Sequence, residues 1–275
     1  MAFTRQQVLD RLRKRIGDGV PIIGGGAGNG ISAKCQEAGG VDLLIIYNSG
    51  RFRMNGRGSL AGCMPYGDAN AIVIEMASDV LPVVKDTPVI CGVCGTDPNR
   101  LMDVFLRQTQ ETGFSGVQNF PTVGLIDGKF RSNLEETGMG YDLEVDMIRL
   151  AREMDIFTSP YAFTPEEGTA MAEADADVVV AHMGLTTKGA IGATTAMTLD
   201  DAVARVQEIT DATLTANPDV IMLCHGGPIS MPEDAAYVLN KTNGLHGFYG
   251  ASSVERLPSE TAIREQMEQF KAIRF

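Results

Sequence analysis

The chain has 275 residues, 44% of them hydrophobic, and a formal net charge of −12. That charge repels phosphate backbones and anionic lipid, so nucleic acid and membrane partners are excluded, and an anionic ligand must be received by a local positive site. Five cysteines, an odd number, do not read as a disulfide scaffold, and without a secretory signal or a bilayer-length apolar run the expected compartment is the cytosol, with reduced thiols.

Along the chain, Thr4–Gly17 places Val8, Leu9, Leu12 and Ile16 at helical spacing, which predicts a helix covering the N-terminal end of the strands after it. The first β-type run, Pro21–Gly24, opens into Gly24-Gly25-Gly26-Ala27-Gly28-Asn29-Gly30. No register of that cluster gives G-x-G-x-x-G, so it predicts close backbone packing or substrate approach rather than a dinucleotide loop. A helix from near Ile31 stops at Gly39-Gly40. Val41–Tyr47 reads as a strand covered on both faces and opens into a long glycine-bearing stretch ending at Pro65. A helix over about Ala69–Val84 comes next, then the run Pro88–Val93 and a helix start at Asp97-Pro98. Gly116–Phe120 leads into a second long excursion, Thr122–Gly140, and a helix around Tyr141–Glu153. Ile156–Pro160, Asp177–Ala181, Asp219–Leu223 and Leu245–Phe248 repeat the unit, and Ser259–Ile273 is a final amphipathic helix. Eight strand–helix units predict an α/β chain folded as a (β/α)8 TIM barrel with an extra N-terminal helix, one domain over residues 1–275.

Such barrels carry their chemistry on the loops leaving the C-terminal strand ends, often with an anion held after strands seven and eight. Gly226, Gly227, Gly250, Ser252 and Ser253 occupy those loops here, and Gly25 and Gly26 occupy the first. Their backbone N–H groups and hydroxyls suit a phosphate or carboxylate, though tight turns and a helix cap use the same residues. Arg51, with Arg53, Arg131 and Arg256, is a candidate anion clamp. His182 and His225 end neighbouring strands and are the candidate proton carriers; His246, inside its strand, reads as structural. Asp97, Glu135 and Glu136, with Asp68 more remote, are candidate ligands for a hard cation such as Mg²⁺. Cys91 and Cys94 lie in a strand and read as packing. No lysine lies inside a strand run, which argues against Schiff-base chemistry.

Several stretches resemble the phosphoenolpyruvate hydrolase-like family of TIM barrels, similar in fold to indole-glycerol-phosphate synthase. They are Gly58–Asn70, Asn119–Gly124, Glu135–Gly140, Ala181–Thr186, His225–Pro228 and Gly247–Arg256. The resemblance implies cleavage of phosphoenolpyruvate or a phosphonate such as phosphonopyruvate. It also implies kinship with the isocitrate lyase and phosphoenolpyruvate mutase superfamily, which uses Mg²⁺ held by acidic residues. The acid–acid–lysine run of that superfamily is replaced here by Gln118-Asn119-Phe120-Pro121. The expectation is an enzyme on a small anionic oxo-acid, with His182 and His225 exchanging protons. Asn48 and Asn119 orient the substrate or hold an enolate oxygen, and Glu136 serves as base or metal ligand. A metal-assisted carbon–carbon lyase and a non-catalytic ligand-sensing or protein-binding barrel are the alternatives. Association into a homo-oligomer is also expected.

Overall fold

A computed structural model describes residues 2–194 and 197–275. Helix α1 (Arg5–Gly17) begins in a capping box: the Thr4 hydroxyl accepts from the Gln7 N–H while the Gln7 side chain accepts from the Thr4 N–H. The chain continues β1 (Ile22–Gly26), α2 (Gly30–Ala38), β2 (Leu43–Ile46), α3 (Asn48–Met54), α4 (Ala69–Val80), β3 (Val89–Val93), α5 (Met102–Thr112) and β4 (Gly116–Asn119). It then gives α6 (Gly128–Glu136), α7 (Asp142–Glu153), β5 (Phe157–Thr158), β6 (Tyr161–Ala162), α8 (Pro165–Glu173) and β7 (Val178–His182). The last elements are α9 (Leu199–Ala216), β8 (Ile221–His225), α10 (Pro232–Lys241), β9 (Leu245–Gly250) and α11 (Arg256–Lys271).

All strand pairs are parallel, in the order β5-β4-β3-β2-β1-β9-β8-β7-β6. The two ends of that sheet are adjacent in the chain. The Ser159 N–H donates to Val117 on one side (3.0 Å), and the Pro160 carbonyl accepts from Val180 on the other (2.8 Å). β5 and β6 therefore act as one broken strand that closes the sheet, and the eight-unit pattern becomes a barrel. The break falls at Pro160, which has no N–H to give a ladder. Several boundaries differ from expectation. The helix after the third strand starts at Met102 and not at Asp97-Pro98, where Asp97 accepts from the Asn99 N–H in a turn, and the helix from Ala69 ends at Val80. The strand with its break runs on to Ala162, and the final helix starts at Arg256, because Pro258 is tolerated in a first turn whose N–H groups need no helical partner.

Alternation along the strands splits the apolar residues into two cores. Val179, Ala181, Met222 and Cys224 face the helices. Val178, Val180, Ile221 and Leu223 face the barrel interior, with Val8, Leu9 and Leu12 of α1 closing its N-terminal end. Two interior glycines make room for aromatic rings: a Cβ on Gly24 would lie 2.6 Å from the Tyr249 ring, and one on Gly92 would lie 2.4 Å from Tyr47 Cβ. His246 sits at a register shift of β8 and β9, its Nδ1 accepting from the Met222 N–H (3.1 Å). No helix among the described residues is long and apolar enough to cross a membrane.

Candidate active site

Continuing the inward alternation of β7 and β8 by one step gives His182 and His225, paired in register. Both are buried, with ring centres 4.5 Å apart and planes at 61°. Their backbone partners set opposite tautomers. His225 Nδ1 lies 2.5 Å from the Tyr249 carbonyl oxygen, which can only accept, so Nδ1 carries the proton and Nε2 keeps a lone pair. His182 Nδ1 accepts from the Gly184 N–H (2.9 Å), so the neutral ring carries its proton on Nε2. Burial pushes His182 well below its ordinary 6.5, and His225 beside it adds to this. Burial likewise takes His225 to about 4, with the Tyr249 carbonyl opposing and Arg53 assisting. At neutral pH the pair is one donor and one acceptor.

The loops bearing these rings are stapled together. Met183 N–H donates to the His225 carbonyl (2.8 Å), and Gly227 N–H donates to that of Gly184 (2.9 Å). Gly226 adopts a φ of +80°, and a Cβ there would lie 2.3 Å from the Gly184 oxygen. Gly226 and Gly227 thus serve the turn and the close approach of two loops.

The rings line a narrow cavity of about 30 Å³ at the C-terminal strand ends, shared with Tyr47, Arg53, Tyr161, Ser59 and Ser252. Arg53 reaches it from α3, its side chain 1% exposed. Its Nε and Nη2 both donate to Glu255 Oε2, at 2.8 and 2.6 Å. Glu255 Oε1 accepts from the Gly28 N–H and the Ser32 hydroxyl, each at 2.5 Å. The pair therefore ties together the first, second and eighth strand-end loops. Burial opposes the Arg53 charge, but Glu255 and then Tyr47 hold the guanidinium above its ordinary value. The Tyr161 and Tyr249 hydroxyls are buried without a hydrogen-bond partner among the described residues. Burial raises both well above the usual phenol range, so they remain protonated donors. Ser252 Oγ lies 3.5 Å from Ser59 Oγ.

Other expected site residues lie apart from the cavity. Arg51 pairs with Glu75 (2.7 Å) on α4. Arg131 holds Glu135 and Glu167, and Arg256 holds Glu260 and the Lys188 carbonyl. Asn48 donates to the Gly62 carbonyl (2.8 Å) and pins the excursion after the second strand. Asn119 donates to Glu144 Oε2 (2.6 Å) and the Tyr161 carbonyl (3.2 Å) and accepts from the Tyr161 N–H (2.7 Å). Its polar atoms are taken up by the broken strand, which leaves none for a substrate. A Cβ on Gly25 would meet the Gln36 side chain of α2, whereas Gly26 lies beside the Tyr47 hydroxyl and Ala251. Gly250 packs on the buried Ser253 hydroxyl, and Ser253 lines a separate groove with Lys188 and Arg264. Tyr161, on the cavity wall, and Glu255, behind Arg53, are not among the candidates read from the sequence; Tyr249, which gives its carbonyl to His225, continues the interior alternation of β9.

The acidic candidates do not converge. Glu135 and Glu136 are exposed on α6, bonded to Arg131 and Asn133. Asp97 is held by Asn70, the Asn99 N–H and Arg100 in another groove. No group of three or more His, Cys, Asp or Glu placed to hold a metal exists among the described residues. Mg²⁺ requires oxygen ligands, usually one or two of them carboxylates. The cavity wall offers a guanidinium and two imidazoles, and the nearby Glu255 is already bonded to Arg53, Gly28 and Ser32. These residues do not fit the ion.

The sequence profile of the family described as "Phosphoenolpyruvate hydrolase-like" matches residues 7–273. Two proteins of Solanum lycopersicum, "ToMV susceptible protein tm-1(GCR26)" and "ToMV resistance protein Tm-1(GCR237)", are each 65% identical over 97% and 98% of this chain. The chain spans only 35% and 36% of their lengths. The crystal structure of a phosphonopyruvate hydrolase in complex with oxalate and Mg²⁺ superimposes with a TM-score of 0.62 at 15% identity, covering 96% of this chain and 87% of that one. At that identity the likeness is one of fold.

Proposed function

The chain belongs to the phosphoenolpyruvate hydrolase-like family, and from that premise we propose that it is an enzyme acting on a small anionic oxo-acid, hydrolysing a phosphonopyruvate- or phosphoenolpyruvate-like substrate. The observation that carries this reading is the opposite tautomers of His182 and His225 beside the buried cation Arg53. Arg53 Nη1 and the Tyr161 hydroxyl receive an anionic group. His225 Nε2 takes a proton from water as its oxygen attacks phosphorus. The carbon–phosphorus bond of a phosphonopyruvate-like substrate breaks, and its electron pair passes into an enolate. His182 Nε2–H stabilises the enolate oxygen by a hydrogen bond. The proton held by His225 then returns to the methylene carbon, giving pyruvate and phosphate.

The test is release of pyruvate and phosphate from phosphonopyruvate and phosphoenolpyruvate by the purified protein, with Mg²⁺ and with EDTA. Turnover in both conditions, abolished by His225→Asn, is expected. Pyruvate appearing with an aldehyde from a longer oxo-acid would replace the hydrolase reading by a lyase. A second reading, a barrel that binds its ligand or a protein without turnover, draws support from the susceptibility and resistance names of the two plant relatives. Saturable binding with no product identifies it.

A further inference from the structure

The charges around the cavity narrow the choice of ligand. Arg53 is the cation on its wall, and Glu255, 0% exposed at the side chain, already neutralises it through two hydrogen bonds to one oxygen. The two imidazoles are held neutral by their burial. Arg53, Glu255 and both rings together therefore carry no net charge. The remaining donors are the Tyr161 hydroxyl and His182 Nε2–H, both neutral, and the guanidinium N–H groups that Glu255 leaves free. A buried charge needs both a partner and hydrogen bonds. A carboxylate here would share Arg53 with Glu255 and find neutral donors for its lone pairs. A phosphoryl dianion would bring a second charge with no cation to meet it, against the Glu255 carboxylate behind Arg53.

We propose that the Arg53 end of the cavity selects a singly charged carboxylate over a phosphoryl dianion, and that Glu255 is the residue setting this selection. The proposal rests on the oxo-acid reading of the site and adds an orientation to it. The carboxylate lies deep on Arg53, and any phosphoryl group lies at the mouth near the Ser59 and Ser252 hydroxyls. Glu255 acts through Arg53, as a positioning and specificity residue.

The experiment is calorimetric titration of the whole protein at pH 8 with pyruvate and, separately, with inorganic phosphate, which is largely dianionic there. The wild type is expected to bind pyruvate at least tenfold more tightly. Glu255→Gln keeps the shape, removes the negative charge, and is expected to shift the pyruvate-to-phosphate ratio toward phosphate by tenfold or more. Ser32→Ala loosens the same carboxylate without changing its charge and is expected to leave the ratio unaltered. Equal weakening of both anions by Glu255→Gln would reduce Glu255 to a structural role and overturn the proposal. Should that variant not fold, the wild-type ratio decides, and phosphate binding as tightly as pyruvate overturns the proposal. Phosphonopyruvate turnover with an unshifted ratio defeats the selector alone. The absence of both turnover and anion binding defeats the oxo-acid reading with it.

Discussion

Glu144 offers the sharpest test of how the broken strand supports the cavity. It lies on α7 with 0% exposure, accepting from the Asn119 side chain (2.6 Å) and the Val123 N–H (2.8 Å). Asn119 in turn holds both backbone groups of Tyr161. Burial raises the Glu144 carboxyl from its ordinary 4.5 to about 8, with Thr122, Val123 and Asn119 opposing. Above pH 6.5 the unfolded chain has lost this proton while the folded protein keeps it. The folded state thus binds more protons, and stability falls as pH rises. The contribution is roughly 2 kcal/mol at pH 6.5 and well under about 1 kcal/mol at pH 8, a loss of about 1–2 kcal/mol. The neutral variant Glu144→Gln has no such loss. His182 and His225, held neutral by burial, contribute an opposite slope as pH falls through 6.5, but they are common to both proteins and cancel in the difference. Urea unfolding at pH 6.5 and pH 8 reads the effect. The wild type should lose about 1–2 kcal/mol more than Glu144→Gln across that interval, or roughly 2–6 °C in melting temperature. Parallel losses would mean that Glu144 is ionised in the fold, and the reasoning would fail.

The depressed histidines predict that pyruvate binding and turnover show no imidazole step between pH 5.5 and 8 and decline only as pH approaches 4. A step near 6.5 that disappears in His225→Asn would contradict the neutral-pair assignment. Arg53→Lys keeps a charge opposite Glu255 but loses the planar fork, and pyruvate affinity should fall tenfold or more. Arg51→Ala, which removes only the pairing with Glu75, should change it less than twofold; equal losses would show the cavity to be misplaced. Gly92→Ala puts a methyl 2.4 Å from Tyr47 Cβ and should cost about 1–3 kcal/mol by overpacking, read as a lowered melting temperature. An unchanged melt would refute the interior packing.

How far this site is legible in the sequence depends on the element that carries each residue. His182 and His225 end strands whose inward alternation is readable as Val178, Val180 and Ile221, Leu223, so strand period and barrel polarity suffice to place them together. Arg53 is not separable from Arg51 by pattern. Both lie on α3 and, two residues apart at 100° per residue, point about 200° from one another. Only the packing of α3 against the barrel decides which meets Glu255 and which meets Glu75. Glu135 and Glu136 belong to α6, a surface helix without a buried residue, and no local pattern separates a solvated acid there from a catalytic one. Asn119 is the most instructive case, because its position at a strand end suits catalysis and its environment does not. Pro160 interrupts the fifth strand position, leaving the Tyr161 N–H and carbonyl to be met by side chains: Asn119 meets both, and the Tyr141 hydroxyl also donates to the carbonyl. The proline is visible in the sequence; the backbone groups beside it are met by a residue of the neighbouring strand, 42 positions earlier. The same repair fixes Tyr161, which lines the cavity, so an asparagine expected to touch the substrate holds the backbone of a residue on the cavity wall.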